Sequence, residues 1–242
     1  MAAAWIGFAG GLIAVVVSAV VALRQSQLAE RLARVNHDLD AELHRRTEMF
    51  DRELGAEDVL TRYREPLAAA AFDLQSRLYN ILRLDFFAKY ADSPDLAEEV
   101  VLTTLFRLAQ YFGWTEILRR DIQFLSFPEA DETRAVAHLQ SEISKCFLTH
   151  NYGLALMIWS DQQRAIGERM IVEENAKLIS MGYAAFRDHC DDIFAPWTER
   201  LRADLADAAA QDRLRDAQHL LCELVRTLDQ KRIRYTEDLQ PA

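Results

Sequence analysis

Residues 2–23 read AAAWIGFAGGLIAVVVSAVVAL, and none of these 22 side chains carries a charge. A helix of this length rises about 33 Å at roughly 1.5 Å per residue, which is enough to cross a hydrocarbon layer of about 30 Å. Trp5 stands where an interfacial aromatic residue is expected, and Arg24 ends the run. We therefore predict a transmembrane helix over residues 1–23.

Two alternatives for this run stay open. The first is a cleaved signal peptide, for which residues 20–22 (Val-Val-Ala) form a passable cleavage site. However, no basic residue precedes the run, and the run is longer than the usual apolar segment of a signal peptide. The second alternative is a buried core helix, which normally keeps a polar face. A retained membrane anchor fits the sequence best.

The residues that flank the run predict its orientation. Neither Lys nor Arg precedes it, whereas Arg24, Arg31 and Arg34 follow it closely. By the positive-inside rule, the N-terminus lies outside and the bulk of the chain lies in the cytoplasm. The three cysteines are an odd number without the spacing of a disulfide framework, which agrees with a reducing compartment. We predict a single-pass protein of the inner (cytoplasmic) membrane.

A face of small and then apolar residues runs through this segment and beyond it. Small residues at spacings of 4, 3 and 4 allow a second helix to approach closely. The apolar positions after Arg24 follow an 11-residue repeat better than a heptad, which favours a straight or right-handed coil. The predicted helix-pairing face consists of Gly7, Gly11, Ala14, Ser18, Leu28, Leu32, Val35 and Leu39.

Residues 24–54 contain no Pro or Gly, so we predict that they form a coiled-coil-like helical stalk. A polar helix of this length needs a partner to bury its apolar face. Pairing with a second copy of the chain, which makes the protein a homo-oligomer, is the preferred prediction. Packing onto the chain's own downstream domain and packing onto a different protein are the alternatives.

Residues 55–235 have mainly helical apolar spacing, which predicts a cytoplasmic helical bundle and an all-α fold class. Residues 236–242 are predicted to be a flexible tail. Ser93-Pro94-Asp95 has the residues of a helix start, and we expect that helix to run to a break at Gly113.

Two later helices and one ambiguous run complete the bundle. A stripe from Phe186 to Leu205 predicts a helix kinked at Pro196. The last helix is predicted from a stripe that consists of Leu214, Ala217, Leu221, Leu224 and Leu228. The six apolar residues of Leu154–Trp159 fit either a short strand or a buried helical turn, because periodicity does not distinguish the two.

Composition narrows the function classes. The chain has 28 basic and 38 acidic side chains and a formal net charge of −10. Because an acidic surface repels phosphate backbones, we predict that the protein does not bind nucleic acid. The sequence has no Gly-x-Ser-x-Gly nucleophile motif, no phosphate-binding loop and no dinucleotide-binding glycine pattern. No catalytic residue and no cofactor is therefore predicted.

Two Cys/His pairs have spacings that can place both side chains on one helical face and so hold a zinc ion. Cys146 and His150 are four residues apart, and His219 and Cys222 are three apart. In the alternative interpretation, which we prefer, the cysteines are small buried apolar residues. We therefore predict no metal site, and catalysis by a Cys/His pair stays a minor alternative.

A polar cluster directly follows the run Leu154–Trp159 and is the candidate ligand or partner site. The candidate residues are Trp159, Asp161, Gln163 and Arg164, with Arg164 meeting an anion and Asp161 fixing its orientation. The alternative is a solvated helix start with Ser160 or Asp161 as the capping residue.

Two segments carry a resemblance to known proteins. Residues 63–82, YREPLAAAAFDLQSRLYNIL, and residues 161–167, DQQRAIG, resemble segments found in a family of uncharacterised bacterial proteins. The resemblance covers about 27 residues and implies a bacterial origin, with no activity to carry over.

The sequence thus leaves three hypotheses of function. The first is a membrane-anchored cytoplasmic interaction or scaffold module without catalytic activity. The second is a small-ligand sensor or enzyme with a pocket in the helical domain. The third is an accessory subunit of a larger membrane complex.

Overall fold

The computed structural model describes residues 39, 42–47, 62–123, 131–175, 177–205, 210–229, 234–235 and 239–242. The chain forms two compact units, residues 1–51 and residues 52–242. In the first unit, residues 39 and 42–47 are helical, and Glu42 pairs with both Arg45 and Arg46. In the parts of the chain just given, no helix is long and apolar enough to cross a membrane.

The predicted transmembrane helix at residues 1–23 lies outside the described residues. Leu39 and Leu43 are the described leucines of the predicted stalk, and their exposed fractions are 55% and 61%. The remaining residues of the predicted pairing face also lie outside the described residues, namely Gly7, Gly11, Ala14, Ser18, Leu28, Leu32 and Val35.

The second unit is mostly helical, which confirms the predicted helical bundle. Its helices are α1 (62–83), α2 (Pro94–Gln123), α3 (Asp131–Leu148), α4 (Ser160–Met170), α5 (Tyr183–His189), α6 (Ala195–Leu205) and α7 (Gln211–Leu228), with a 3-10 turn at Ala88–Tyr90. Strands β1 (Ile171–Glu174) and β2 (Lys177–Ser180) form an antiparallel hairpin in which Ile171 lies opposite Ser180. This hairpin is the part that the all-α prediction missed.

Helix α2 is the central element of this unit. It packs against α4, α5, α6 and β2, while α3 packs against α7. It begins at Pro94, as the sequence predicts, and the main-chain oxygen of Ser93 accepts a hydrogen bond from Ala97. Its buried aromatic residues include Phe106, Tyr111 and Phe112.

The predicted break at Gly113 is wrong, because α2 continues through it to Gln123. Gly113 instead allows a close approach, since a Cβ atom there would lie 2.8 Å from the Cβ of Met170. On the facing helix α4, a Cβ at Gly167 would lie 2.6 Å from the main-chain oxygen of Phe112. The two glycines therefore allow α2 and α4 to pack closely. A glycine within a helix lowers the stability of that helix slightly, and α2 tolerates this at Gly113.

Helix α2 also carries a buried carboxylate. The Glu116 side chain is 3% exposed and accepts hydrogen bonds of 2.7 Å from Arg119 and 2.9 Å from Arg120. Burial alone would raise the pKa of the Glu116 carboxyl, but the two arginines outweigh burial and hold that pKa below its usual range.

The segment from Phe186 to Leu205 contains two helices in place of the predicted kinked one. Helix α5 ends at His189, and α6 begins at Ala195, so that Pro196 lies in a first turn. That position is compatible with proline, because the N–H groups of a first turn have no partner within the helix. The stripe predicted for α7, from Leu214 to Leu228, is confirmed by the burial of all five of its residues.

The run Leu154–Trp159 is neither a strand nor a helix, but an irregular segment between α3 and α4. Leu156 and Ile158 point into the core, whereas Leu154 and Trp159 are 68% and 59% exposed. The main chain is tied at several points, since Ile158 N–H donates to the oxygen of Phe147 at 2.9 Å and Arg200 donates to the oxygen of Met157.

Candidate binding groove

An open groove of about 400 Å³ lies between the end of α3, the segment that follows it, and α7. Helix α3 and helix α7 pack side by side, and the chain between residues 149 and 152 contributes to the lining. The groove is lined by Glu142, Lys145, Cys146, Thr149, Asn151, Tyr152, Asp216, His219 and Leu220.

A hydrogen bond between Tyr152 and Asp216 crosses the groove. The Tyr152 hydroxyl donates to the Asp216 carboxylate at 2.5 Å. This bond to Asp216, together with burial, raises the pKa of the Tyr152 hydroxyl to about 12. Tyr152 is therefore protonated at neutral pH, and Asp216 already has a donor.

Cys146 is buried at the bottom of the groove, with 5% of its surface exposed. Its Sγ–H donates to the main-chain oxygen of Arg213 at 3.4 Å. Burial, with the nearby Asp216 carboxylate, raises the pKa of the Cys146 thiol to about 11. Because the thiolate is the nucleophilic form of cysteine, this residue is a structural thiol at neutral pH.

The other charged groups of the groove also have partners. Lys145 donates to the Glu142 carboxylate at 2.7 Å, and this hydrogen bond lowers the pKa of Glu142. His219 Nε2 lies 2.9 Å from the main-chain oxygen of Ala242. These groups of the groove thus have hydrogen-bonding partners within the chain.

Arg213 holds the walls of the groove together from below, and its side chain is fully buried. Its guanidinium donates to four main-chain oxygens: Cys146 at 2.6 Å, Phe147 at 3.0 Å, Gly153 at 2.8 Å and Ala155 at 3.0 Å. The first two oxygens belong to the last turn of α3, where unpaired carbonyls carry partial negative charge and favour a cation. Burial lowers the pKa of Arg213, but an arginine remains protonated at neutral pH.

The structure does not bring the candidate residues after Leu154–Trp159 together in one pocket. Gln163 is buried, with its amide bonded to Ser144 and to the oxygen of Ile158. Trp159, Asp161 and Arg164 are exposed. Helix α4 begins at Ser160 with Trp159 as its N-cap, in place of the predicted Ser160 or Asp161, and the Gln162 side chain accepts a hydrogen bond from the Trp159 N–H at 3.1 Å.

The structure also gives no support for zinc binding by the Cys/His pairs. Cys146 is buried while His150 is exposed beyond the end of α3, and Cys222 is buried against Gln75 and Gln218. Within the described ranges, no group of three or more His, Cys, Asp and Glu side chains is placed to hold a metal ion.

Comparison with known proteins gives no match: no family model fits the chain, and no curated protein or solved structure is significantly similar to it. The resemblance of residues 63–82 and 161–167 to uncharacterised bacterial proteins therefore stays a prediction.

Sequence reasoning missed Arg213, Asp216 and Tyr152 as groove residues. Arg213 precedes the apolar stripe of α7 by one residue, and an arginine in that place is usually solvated. No local pattern in the sequence distinguishes these three residues, because their partners lie about 60 positions away.

Proposed function

We propose that the protein is a membrane-anchored helical module that binds another protein on the cytoplasmic side, without catalysing a reaction. The observation that carries the proposal is the open groove of about 400 Å³ between α3 and α7, whose ionisable groups are held in pairs. Catalysis by acid, base or nucleophile requires a group with a suitable pKa and a free position. The groove provides Tyr152 and Cys146 with raised pKa values, and a Lys145–Glu142 pair.

The anchoring part of the proposal rests on the sequence. Residues 2–23 carry no charge over a length that fits a bilayer, and the basic residues follow the run. Self-association is supported by the exposed stalk leucines Leu39 and Leu43, which are four residues apart in the sequence and are each in helical conformation. We infer an inner-membrane protein whose helical domain, with its groove, lies on the cytoplasmic side.

A variant that fills the groove tests the binding proposal. Asn151→Trp places a large side chain at the groove wall, and Glu173→Trp is the matched control because Glu173 is exposed on the hairpin. The full chain is expressed in its membrane, cross-linked and purified by affinity. We expect wild type and Glu173→Trp to retain the same partner, and Asn151→Trp to lose it. Equal recovery from both tryptophan variants would contradict a role for the groove.

Extraction experiments test the anchor. We expect the full chain to stay in the pellet after an alkaline wash of cell envelopes, and a chain that begins at Arg24 to be released. Release of the full chain would contradict membrane anchoring. If gentle detergent extraction instead leaves the chain in a large assembly with several other proteins, the accessory-subunit hypothesis replaces the module.

A small-ligand sensor is the second candidate, and the groove volume favours it. Ligand pockets typically measure about 300–1,000 Å³, a range that includes this groove. Thermal-shift screening with nucleotides, metal ions and acidic metabolites tests it. A stabilising compound whose effect is lost in Asn151→Trp but kept in Glu173→Trp would support a sensor, and a screen without stabilisation would exclude those ligand classes.

A further inference from the structure

Residues 239–242, which belong to the tail predicted at 236–242, lie against α7, where the buried side chain of Gln218 makes two hydrogen bonds to their main chain. The Gln218 side chain donates through Nε2 to the main-chain oxygen of Gln240 at 2.8 Å. Its Oε1 accepts a hydrogen bond from the main-chain N–H of Ala242 at 3.0 Å. One amide group therefore binds the carbonyl of one residue and the N–H of the residue two positions further on.

This pattern is the one by which a neighbouring strand pairs with an extended chain. In a parallel pair, one residue donates to the carbonyl of one residue of the partner chain and accepts from the N–H of the residue two positions further on. Gln218 supplies the same two groups from a helix. Since every peptide has these main-chain groups, the contact recognises an extended backbone and not a particular side chain, as in peptide recognition by strand addition.

Two side chains of residues 239–242 are buried. Leu239 and Ala242 are each 8% exposed, whereas Gln240 and Pro241 face solvent. A large apolar residue is thus buried at the first position and a small residue at the fourth. The Tyr79 hydroxyl adds a hydrogen bond of 3.0 Å to the Gln240 side chain.

The site stays oriented by a second buried glutamine. Gln75 on α1 is 1% exposed, and its Oε1 accepts a further hydrogen bond from Gln218 Nε2 at 3.0 Å. Gln218 is fully buried. If residues 239–242 leave, the Gln218 amide loses two protein hydrogen bonds, and either water or another backbone must replace them.

We propose that the surface formed by Gln218, Gln75 and Tyr79 is a peptide-binding site for an extended segment of a partner protein. The segment has a large apolar residue at its first position and a small residue at its fourth. Residues 239–242 occupy the site in cis and compete with the partner. The site adjoins the groove between α3 and α7, because His219, which lines the groove, also lies 2.9 Å from the main-chain oxygen of Ala242. The inference does not rest on the function proposed for that groove.

A labelled peptide tests the proposal directly. The probe is a fluorescein-labelled peptide with the sequence of residues 236–242, TEDLQPA, and the full chain is purified in mild detergent. Binding is followed by fluorescence anisotropy in wild type and in a chain that stops after residue 238. A tethered segment competes at an effective concentration in the millimolar range, so we expect the shortened chain to bind the probe at least roughly tenfold more tightly than wild type.

Matched variants identify the recognising group. In the shortened chain, Gln218→Met removes two hydrogen bonds and is expected to weaken the probe by roughly tenfold or more. Gln211→Met is the control, because Gln211 is exposed on the same helix, and it is expected to leave the affinity unchanged. A probe with aspartate in place of its leucine is expected not to bind.

Several results would overturn the proposal. The first is a shortened chain that has a native circular dichroism spectrum but does not bind the probe at 1 mM, a concentration that corresponds to about the weakest measurable affinity. The second is an equal affinity of the probe for the Gln218→Met and Gln211→Met variants. If shortening prevents folding, Leu239→Asp in the full chain replaces it, and an affinity equal to that of wild type refutes competition in cis. A dimer that the probe dissociates would show that a second copy supplies residues 239–242, and would overturn the assignment to a partner protein.

Discussion

Replacing Arg213 by methionine tests whether this buried cation holds the groove together. The substitution keeps an unbranched side chain of similar length but removes the guanidinium. Four main-chain oxygens then lose a donor, and only that of Phe147 keeps another described one, from Ile158. The carbonyls of Cys146, Gly153 and Ala155 are the ones that lose most.

The expected loss follows from these bonds. A hydrogen bond to a charged group contributes about 1.5–3 kcal/mol when it is broken singly. The four do not add, because removing the guanidinium also removes its own desolvation cost. We therefore expect a net loss of about 3–4 kcal/mol in the free energy of unfolding, a large part of the total of about 5–15 kcal/mol for a typical domain.

Urea denaturation followed by circular dichroism measures this loss. For a slope of about 2–3 kcal/mol per molar urea, the midpoint falls by roughly 1–2 M. Arg215→Met is the matched control, since the Arg215 side chain is 42% exposed and pairs with Asp212 on the surface, and we expect it to cost less than about 1 kcal/mol. Arg213→Lys keeps the charge without the planar fork and should lie between the two. Coinciding midpoints for Arg213→Met and Arg215→Met would refute the reasoning.

Three further outcomes are expected. Gly167→Ala places a Cβ 2.6 Å from a main-chain oxygen of α2, and should lower the free energy of unfolding by about 2 kcal/mol, whereas Gly182→Ala meets nothing within 4 Å and should have little effect on the melting temperature. The lowered pKa of Glu116 means that its contribution to stability is present above the unfolded-state pKa of about 4.5 and is lost as the pH falls below that value. Glu116→Gln should therefore make the free energy of unfolding depend less on pH in the acid range. The effect should be smaller for Glu142→Gln, because the Glu142 carboxylate is far more exposed. The raised pKa of Cys146 means that its contribution is present below pH 9 and is lost as the pH rises towards 11, and native Cys146 should react with iodoacetamide at pH 8 at least roughly tenfold more slowly than it does in urea.

The helices that sequence reasoning located correctly are those with a regular apolar stripe or a specific start signal. The stripe of α7 repeats every three or four residues and is buried throughout, and Pro94 marks the start of α2. Such features are local, so they can be read from neighbouring residues alone. The break expected at Gly113 failed because the reason for that glycine lies on another helix, at Met170.

The hairpin after α4 was missed although a local signal exists. Residues 171–180 read IVEENAKLIS, with β-branched residues at both ends. Asn175 adopts φ 51°, the left-handed region that asparagine tolerates at the first position of a two-residue turn. The strands have only four residues each, which is too short for alternation to stand out among helices.

The groove depends on contacts between residues far apart in the sequence, and these could not be predicted. Tyr152 meets Asp216 across 64 positions, and Arg213 meets Cys146 across 67. Each residue alone resembles an ordinary surface or core residue. The sequence predicts a site at Asp161 and Arg164 because they are close along the chain. The structure places both on the exposed side of the start of α4 and buries Gln163 between them.

The acceptors around Arg213 are all peptide carbonyls, which neither gain nor lose a proton in the pH range where proteins are handled. An arginine held by carboxylates would be released in acid, and an exposed ion pair would be weakened by added salt. The hydrogen bonds of Arg213 that join α7 to the end of α3 are subject to neither effect. The hydrogen bonds from Arg213 to Gly153 and Ala155 should therefore persist at acidic pH and at high salt concentration. Surface ion pairs such as Lys145–Glu142 are weakened under the same conditions.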